Sequence, residues 1–216
     1  MDILIIGALL LLAYLIGAIP TAVWVGQAYY GIDVRQHGSG NAGATNTFRV
    51  LGKKPGTLVM LVDIFKGWTA TSLAGFLVIL DVIPDEKLLV FMVLMGSLSV
   101  IGHIFPVYVG FKGGKGVATL MGMVLAIQPA AALVCLGIFI VVLLLSKYVS
   151  LSSMLAAIAF PVLLLLPKFN PDHHKLLIVF GFIIAVMVVL THRKNINRLL
   201  HGEESKANLF PKKNKD

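Results

Sequence analysis

The chain has 216 residues, 58% of them hydrophobic and 13% charged, with a mean hydropathy of +0.92. A soluble domain carries about 25% charged residues, so most of this apolar material must face lipid. Disorder, a secreted disulfide scaffold and an ordinary cytosolic enzyme are excluded. The net charge of +8 sits in loops and the C-terminal tail, which reads first as membrane topology and attraction to anionic lipid. No nucleic-acid partner is expected, because the basic residues are not interleaved with aromatics on any one element.

A membrane-spanning helix needs about 20 mostly apolar residues. The first candidate covers 3–30, with Pro20 inside it. It is too long and too weakly charged at its start for a cleaved signal peptide. Further spans are predicted at 56–80, 88–108, 116–128, 129–146, 151–166 and 176–191. Residues 116–146 would be overlong as one helix, and Gln128-Pro129 is a natural break, so a tight hairpin of two short helices is expected there. Cys135 lies in this apolar run and is read as a packing residue, with no second cysteine for an internal disulfide.

The loop charges fix the orientation. With the N-terminus outside, the inside loops hold Arg35, Arg49, Lys53, Lys54, Lys112, Lys115, Lys147 and the tail from His192. The outside loops hold Asp81, Asp85, Glu86, Lys87, Lys168, Asp172 and Lys175. The expected fold is therefore an all-α polytopic membrane protein of about seven transmembrane helices, N-terminus outside and C-terminus cytoplasmic. Residues 1–204 form a single transmembrane domain without internal repeats. Residues 205–216, with Lys212, Lys213 and Lys215, form a solvated basic tail that anchors the topology near anionic lipid.

Three polar segments do not look like span or loop filler, and in this topology all emerge at the cytoplasmic face. The first, 37–49, reads His-Gly-Ser-Gly-Asn-Ala-Gly-Ala-Thr-Asn-Thr-Phe-Arg. The second runs from Gly102-His103 to Pro106 and then through Gly-Phe-Lys-Gly-Gly-Lys-Gly-Val-Ala-Thr at 110–119. The third, 192–198, is His-Arg-Lys-Asn-Ile-Asn-Arg. Glycines allow a ligand close to the backbone, and consecutive N–H groups at Gly113, Gly114 and Gly116 form a candidate anion nest. Arg49, Lys112, Lys115, Arg193 and Arg198 supply cations for phosphate oxygens. Ser39, Asn41, Asn46, Thr119, Asn195 and Asn197 are candidates to orient hydroxyls and phosphates. Lys53 and Lys54 read as interface anchors.

Other chemistries fit poorly. Gly113-Gly114-Lys115 lacks P-loop glycine spacing, and Gly116 stands where Ser or Thr would hold magnesium. The positions five after His37, His103 and His192 are Ala42, Tyr108 and Asn197, so the His–Asp pair of many glycerolipid acyltransferases is absent. His173 and His174 read as a loop rather than a metal site, and no metal is expected. Asp63 and Lys66, one turn apart in the second span, read as an ion pair facing the bundle, with substrate contact as the alternative. His103 either lines the site or caps its helix.

The three segments resemble the three motifs of the bacterial acyl-phosphate:glycerol-3-phosphate acyltransferases, the PlsY family, and the resemblance extends over nearly the whole chain. It implies an enzyme of the bacterial cytoplasmic (inner) membrane with its site facing the cytoplasm. The reaction implied is transfer of a fatty acyl group from acyl phosphate to the sn-1 hydroxyl of glycerol 3-phosphate, giving lysophosphatidic acid and phosphate. By the same resemblance Ser39 and Arg49 match a functionally required pair. The segment around Lys112 and Lys115 matches the acyl-phosphate-binding stretch, His192 and Asn195 an active-site pair, and Glu204 an acidic residue needed for integrity. Lys194 is assigned nothing, and the roles of 167–175 and of the tail stay open.

Acyl phosphate is a mixed anhydride with an activated carbonyl, so no cofactor and no covalent acyl intermediate are required. Ser39 is read as a hydrogen-bond donor rather than a nucleophile, since the three segments hold no carboxylate to complete a triad. His192 is read as an orienting group, with a substrate phosphate oxygen as the favoured proton acceptor. Membrane lipid and a soluble acyl-phosphate-producing enzyme are the expected partners. The alternative reading is a transporter for phosphate or an organophosphate, which would place its site near the midplane between repeated halves.

Overall fold

The computed structural model describes residues 1–207, and among them every regular element is a helix. The chain divides into two compact units, Met1–Pro129 and Ala130–Asp216. The first holds α1 (Asp2–Ala18), α2 (Thr21–Tyr30), α3 (Ala44–Leu51), α4 (Lys53–Ser72), α5 (Ala74–Ile79), α6 (Leu88–Ile104) and α7 (Val117–Ile127). The second holds α8, which begins at the boundary (Pro129–Ser146), α9 (Val149–Leu164), α10 (Lys175–Thr191) and α11 (Arg193–Leu200).

The expected first span is two helices. Pro20 has no N–H to continue the α1 ladder, and α1 and α2 meet at 45°. The second span is broken at Leu73 into α4 and α5. A helix break also falls at Gln128, between α7 and α8. With 11 residues, α7 reaches only about 17 Å, well short of a hydrocarbon core of about 30 Å. By length and composition three helices can cross a membrane, or up to five if each bent pair counts as one, and α7 and α9 are shorter apolar helices.

Within the first unit, α1 lies along α6 and α4 along α7. Both pairs approach through reciprocal glycines. A Cβ on Gly17 of α1 would strike the Ser99 backbone of α6, and one on Gly102 of α6 would strike the α1 backbone at Tyr14. Likewise Gly67 of α4 meets the Thr119 carbonyl of α7, while Gly122 of α7 meets the Ile64 carbonyl of α4. Lipid tails are as apolar as leucine side chains, so helix pairs in a membrane gain chiefly from close packing, and small residues permit it. Ala13, Ala70, Ala74, Leu77 and Met95 fill the space between the helices and are fully buried. A second cluster, with Ala22, Val23, Val34, Ala42 and Val59, supports the first polar segment.

In the second unit α9 packs on α10, with Pro161 3.2 Å from where a Gly181 Cβ would stand. Leu133, Ile140, Val141, Leu144 and Leu145 of α8 are exposed, which suits contact with lipid and not with water. The loop before α10 is closed by Asn170, whose Oδ1 accepts the His174 N–H at 2.9 Å. After α10 the chain bends by 60° into α11.

Beyond α11 the Glu204 carboxylate fastens the chain. It accepts hydrogen bonds from Ser150 Oγ at 2.7 Å, Asn195 Nδ2 at 2.6 Å and Arg198 Nε at 2.8 Å. The Ala207 N–H then donates to the Lys147 carbonyl at 2.7 Å. The remainder of the expected tail, including Lys212, Lys213 and Lys215, lies outside the described residues.

Two outcomes follow from this packing. Gly67→Ala or Gly122→Ala should lower the unfolding temperature in detergent, a loss of roughly 1–3 kcal/mol from overpacking. Gly7→Ala and Gly75→Ala, where a Cβ meets nothing within 4 Å, should not. Burial works to raise the Glu204 pKa, but its hydrogen bonds from Asn195, Ser150 and Arg198 outweigh burial and hold it below the ordinary value. The stability it contributes is therefore full above its unfolded pKa of about 4.3 and is lost as pH falls through the lower folded value. Glu204→Gln should destabilise the protein at pH 7 by about 1–3 kcal/mol. The gap to wild type, measured by thermal unfolding, should narrow as the pH is taken below about 4.

Candidate functional site

The first polar segment is a loop built around one buried amide. Asn46, 1% exposed, accepts through Oδ1 from the N–H of Ser39 at 2.8 Å and from its hydroxyl at 3.1 Å. Its Nδ2 donates to the carbonyls of Val34 at 2.8 Å and His37 at 3.1 Å. Asn46 was expected to bind substrate; its amide instead organises the loop. Gly38 sits at φ 60°, and a Cβ there would strike Asn46 Oδ1, so both conformation and space demand glycine. The result is an exposed Ser39 at the loop tip and a half-buried Asn41. Arg49 is exposed on α3, its Cδ 3.3 Å from where a Gly38 Cβ would stand. Ser39 and Arg49 thus flank the same glycine.

The second segment departs from the anion nest read in the sequence. The Gly113 N–H donates to the Ile104 carbonyl and the Gly114 N–H to the His103 carbonyl, each at 3.1 Å. These two amides satisfy the open carbonyls at the end of α6 and are directed away from a ligand. Glycine is needed for space: a Cβ on Gly113 would strike the His103 carbonyl, and one on Gly114 the His103 ring. Thr119 is also corrected, being fully buried with no hydrogen-bond partner for its Oγ1 and its carbonyl against Gly67 of α4. What remains open to an anion is an exposed Lys112 and the start of α7, with Lys115 half-buried between them. Gly116 caps that helix at φ 79°, and first-turn amides of a helix favour negative charge.

Arg35, which the sequence suggested only as a topology charge, ties these two segments together. Its Nε and Nη2 fork onto the Asp33 carboxylate at 3.0 and 2.7 Å, while Nη1 donates to the carbonyls of Val109 at 2.9 Å and Lys112 at 3.3 Å. The hydrogen bond from Arg35 holds the Asp33 carboxyl below the usual carboxylate range, against the opposing effect of burial. A cleft of about 470 Å³ opens here, with Asp33, Arg35 and Gly40 on one side and Lys112 and Gly113 on the other.

Beneath the second segment lies a buried polar cluster. Lys66 Nζ and Asp63 Oδ1 pair at 2.8 Å with their side chains almost fully buried, which is the ion pair the sequence suggested. Thr21 donates to the same Asp63 oxygen at 3.2 Å, and His103 Nδ1 stands 3.7 Å from it. Lys66 also donates to the Ile19 carbonyl at 2.8 Å, where the Pro20 break interrupts the helix. His103 is 6% exposed, so it belongs to this cluster and not to the open surface.

The third segment belongs to the second unit. His192 ends α10, is 3% exposed, and has Nδ1 2.8 Å from the Val188 carbonyl. A carbonyl only accepts, so Nδ1 carries a proton. Asn195 is buried on α11, and its Nδ2 is given to Glu204.

A family model described as glycerol-3-phosphate acyltransferase matches residues 7–202. The glycerol-3-phosphate acyltransferase of Chlorobaculum tepidum is 43% identical over 230 aligned positions, covering 96% of this chain and 98% of its own length. That of Salinibacter ruber is also 43% identical, covering 94% and 92%. Among solved structures, PlsY, an integral membrane glycerol 3-phosphate acyltransferase, is similar in its glycerol 3-phosphate form, with TM-score 0.78, 38% identity and coverage of 93% of this chain and 94% of that one. Its lysophosphatidic acid form gives TM-score 0.76 and 37% identity with the same coverage. With matches at this identity over nearly its full length, the chain belongs to the glycerol-3-phosphate acyltransferase family of integral membrane enzymes.

Proposed function

We propose that the protein transfers a fatty acyl group from acyl phosphate to the sn-1 hydroxyl of glycerol 3-phosphate, releasing lysophosphatidic acid and phosphate as the first step of phospholipid biosynthesis. The observation that carries this reading is the family match over residues 7–202, which includes all three polar segments. That match also crosses both units, which supports one acyltransferase domain over 1–204.

The geometry within each unit supports a role for each residue. Lys112, Lys115 and the first turn of α7 at Gly116 take the phosphate of the acyl donor, while Gly113 and Gly114 shape the turn. Arg49 offsets the charge of a phosphate close to Ser39. The Ser39 hydroxyl donates to a neutral amide oxygen, which cannot remove its proton, so it is a hydrogen-bonding group and not a nucleophile. Rotated away from Asn46, it donates to substrate while the Ser39 N–H keeps the loop in place. Asn41 lends a polar side chain to the same loop. His192 orients the acceptor hydroxyl, and Asn195 holds α11 through Glu204. The hydroxyl oxygen attacks the carbonyl carbon, the carbon–oxygen bond to phosphate breaks, and the departing phosphate takes the proton. The hydrogen-bond donors and cations act chiefly by positioning and charge stabilisation.

The asymmetry of basic loops supports seven spans in a bacterial inner membrane, with the α1–α2 and α4–α5 pairs and α6 to α10 as the crossings, the short α7 being accommodated by local thinning of the bilayer. The N-terminus is then outside, with the C-terminus and the polar segments in the cytoplasm. There a soluble enzyme that makes acyl phosphate could deliver it directly.

Purified protein in detergent, given acyl phosphate and glycerol 3-phosphate, should form lysophosphatidic acid and phosphate in equal amounts. Ser39→Ala should lower the rate about a hundredfold or more. Acid-quenched enzyme incubated with labelled acyl phosphate alone should carry no label. No turnover by the wild type would refute the reading, and a trapped acyl group on Ser39 would restore serine as nucleophile.

A further inference from the structure

Arg35 is only partly exposed, with 23% of its side chain accessible against 14% for Asp33. Its donors are directed at protein acceptors on two sides. Asp33 accepts the Arg35 N–H at 2.9 Å as well as the guanidinium fork, so backbone and side chain of the 3-10 turn at Val34–Gln36 are fixed as one piece. From that piece Nη1 reaches across to the carbonyls of Val109 and Lys112, 74 and 77 residues away in sequence. The loop that presents Ser39 starts directly after this turn, and the Lys112 carbonyl belongs to the residue that presents the exposed cation of the second segment.

We propose that Arg35 is a positioning residue for acyl-phosphate binding, a strap that sets the Lys112 segment against the Ser39 loop through the shape of its fork rather than through charge on the substrate. The inference rests on the acyltransferase reading above. The physical ground is that a guanidinium presents five N–H donors in a fixed plane and satisfies a carboxylate and two carbonyls at once, whereas a lysine ammonium is a compact point charge on a flexible stem. The Asp33 charge cancels much of the Arg35 charge at the wall of the cleft. Lys112 is left to attract the phosphate, and Arg35 determines where it stands.

Shape and charge make opposite forecasts for three variants of the full-length enzyme in detergent. As a strap, Arg35→Lys should fail almost as badly as Arg35→Gln, each raising KM for acyl phosphate about tenfold or more. The KM for glycerol 3-phosphate and kcat should stay within about threefold. Asp33→Asn should move in the same direction, and the double variant Asp33→Asn with Arg35→Gln should be no worse than Arg35→Gln alone. Trypsin cleavage after Lys112 gives a readout independent of the reaction, and it should be about five- to tenfold faster in Arg35→Lys and Arg35→Gln. A wild-type-like Arg35→Lys beside an impaired Arg35→Gln, or an Asp33→Asn enzyme with unchanged or improved KM, would show that Arg35 acts by charge and overturn the proposal. Reduced kcat with both KM values unchanged, or unaltered cleavage at Lys112, would also overturn it. A wild-type enzyme that does not turn over acyl phosphate would instead refute the acyltransferase reading, leaving the cleavage result to judge the strap.

Discussion

One buried carboxylate governs the first unit. Asp63 lies in the middle of an apolar helix, where an unpaired charge is expensive and a paired one is tolerated only with good geometry. Its partners come from three helices: Lys66 from its own α4, Thr21 from the start of α2 and His103 from the end of α6. Through Lys66 the cluster also takes up the Ile19 carbonyl freed by the Pro20 break. The cluster thereby ties α2, α4 and α6 to one another. The His103 ring and carbonyl then form the floor on which Gly113 and Gly114 rest.

On the proposed acyltransferase reading, the same arrangement lets acidic residues stand near the polar segments without repelling phosphate-bearing substrates. Asp33 is held in the Arg35 fork, Asp63 is buried with Lys66, and Glu204 is enclosed by Ser150, Asn195 and Arg198. Each carboxylate does structural work and is matched by donors. Among the exposed cations of the first unit, Arg49 and Lys112 lie in the polar segments and are the ones the proposed reading gives to substrate phosphate. Folding and chemistry thus divide the charged residues between them.

Helices and polar segments were legible because apolar runs and glycine-rich polar stretches are one-dimensional patterns. The pairing of Asp63 with Lys66 was legible because a separation of three residues makes side chains neighbours on a helix. The break at Pro20 was hidden by apolar residues on both sides of it, whereas the break between α7 and α8 was legible at Gln128-Pro129. Gly113 and Gly114 were misread because glycine permits both an anion nest and a tight packing turn, and only tertiary structure shows where the N–H groups go. Asn46 and Thr119 look like ligand contacts in a polar string, yet helical phase turns both into the interior. Arg35 was missed as a linker because its carbonyl partners lie more than 70 residues away. The local signal that could have found it was Asp33 two residues before, in a turn rather than a helix.

The buried Asp63 cluster, through His103, holds the Gly113–Gly114 turn that presents the second segment. Amide hydrogen exchange of peptides covering 103–116 tests it most directly, comparing wild type with Asp63→Asn in detergent. Protection at Gly113 and Gly114 should fall by about tenfold or more in the variant, as a local opening, while α9 and α10 exchange as in wild type. Unchanged protection of 103–116 in a folded Asp63→Asn protein would contradict it.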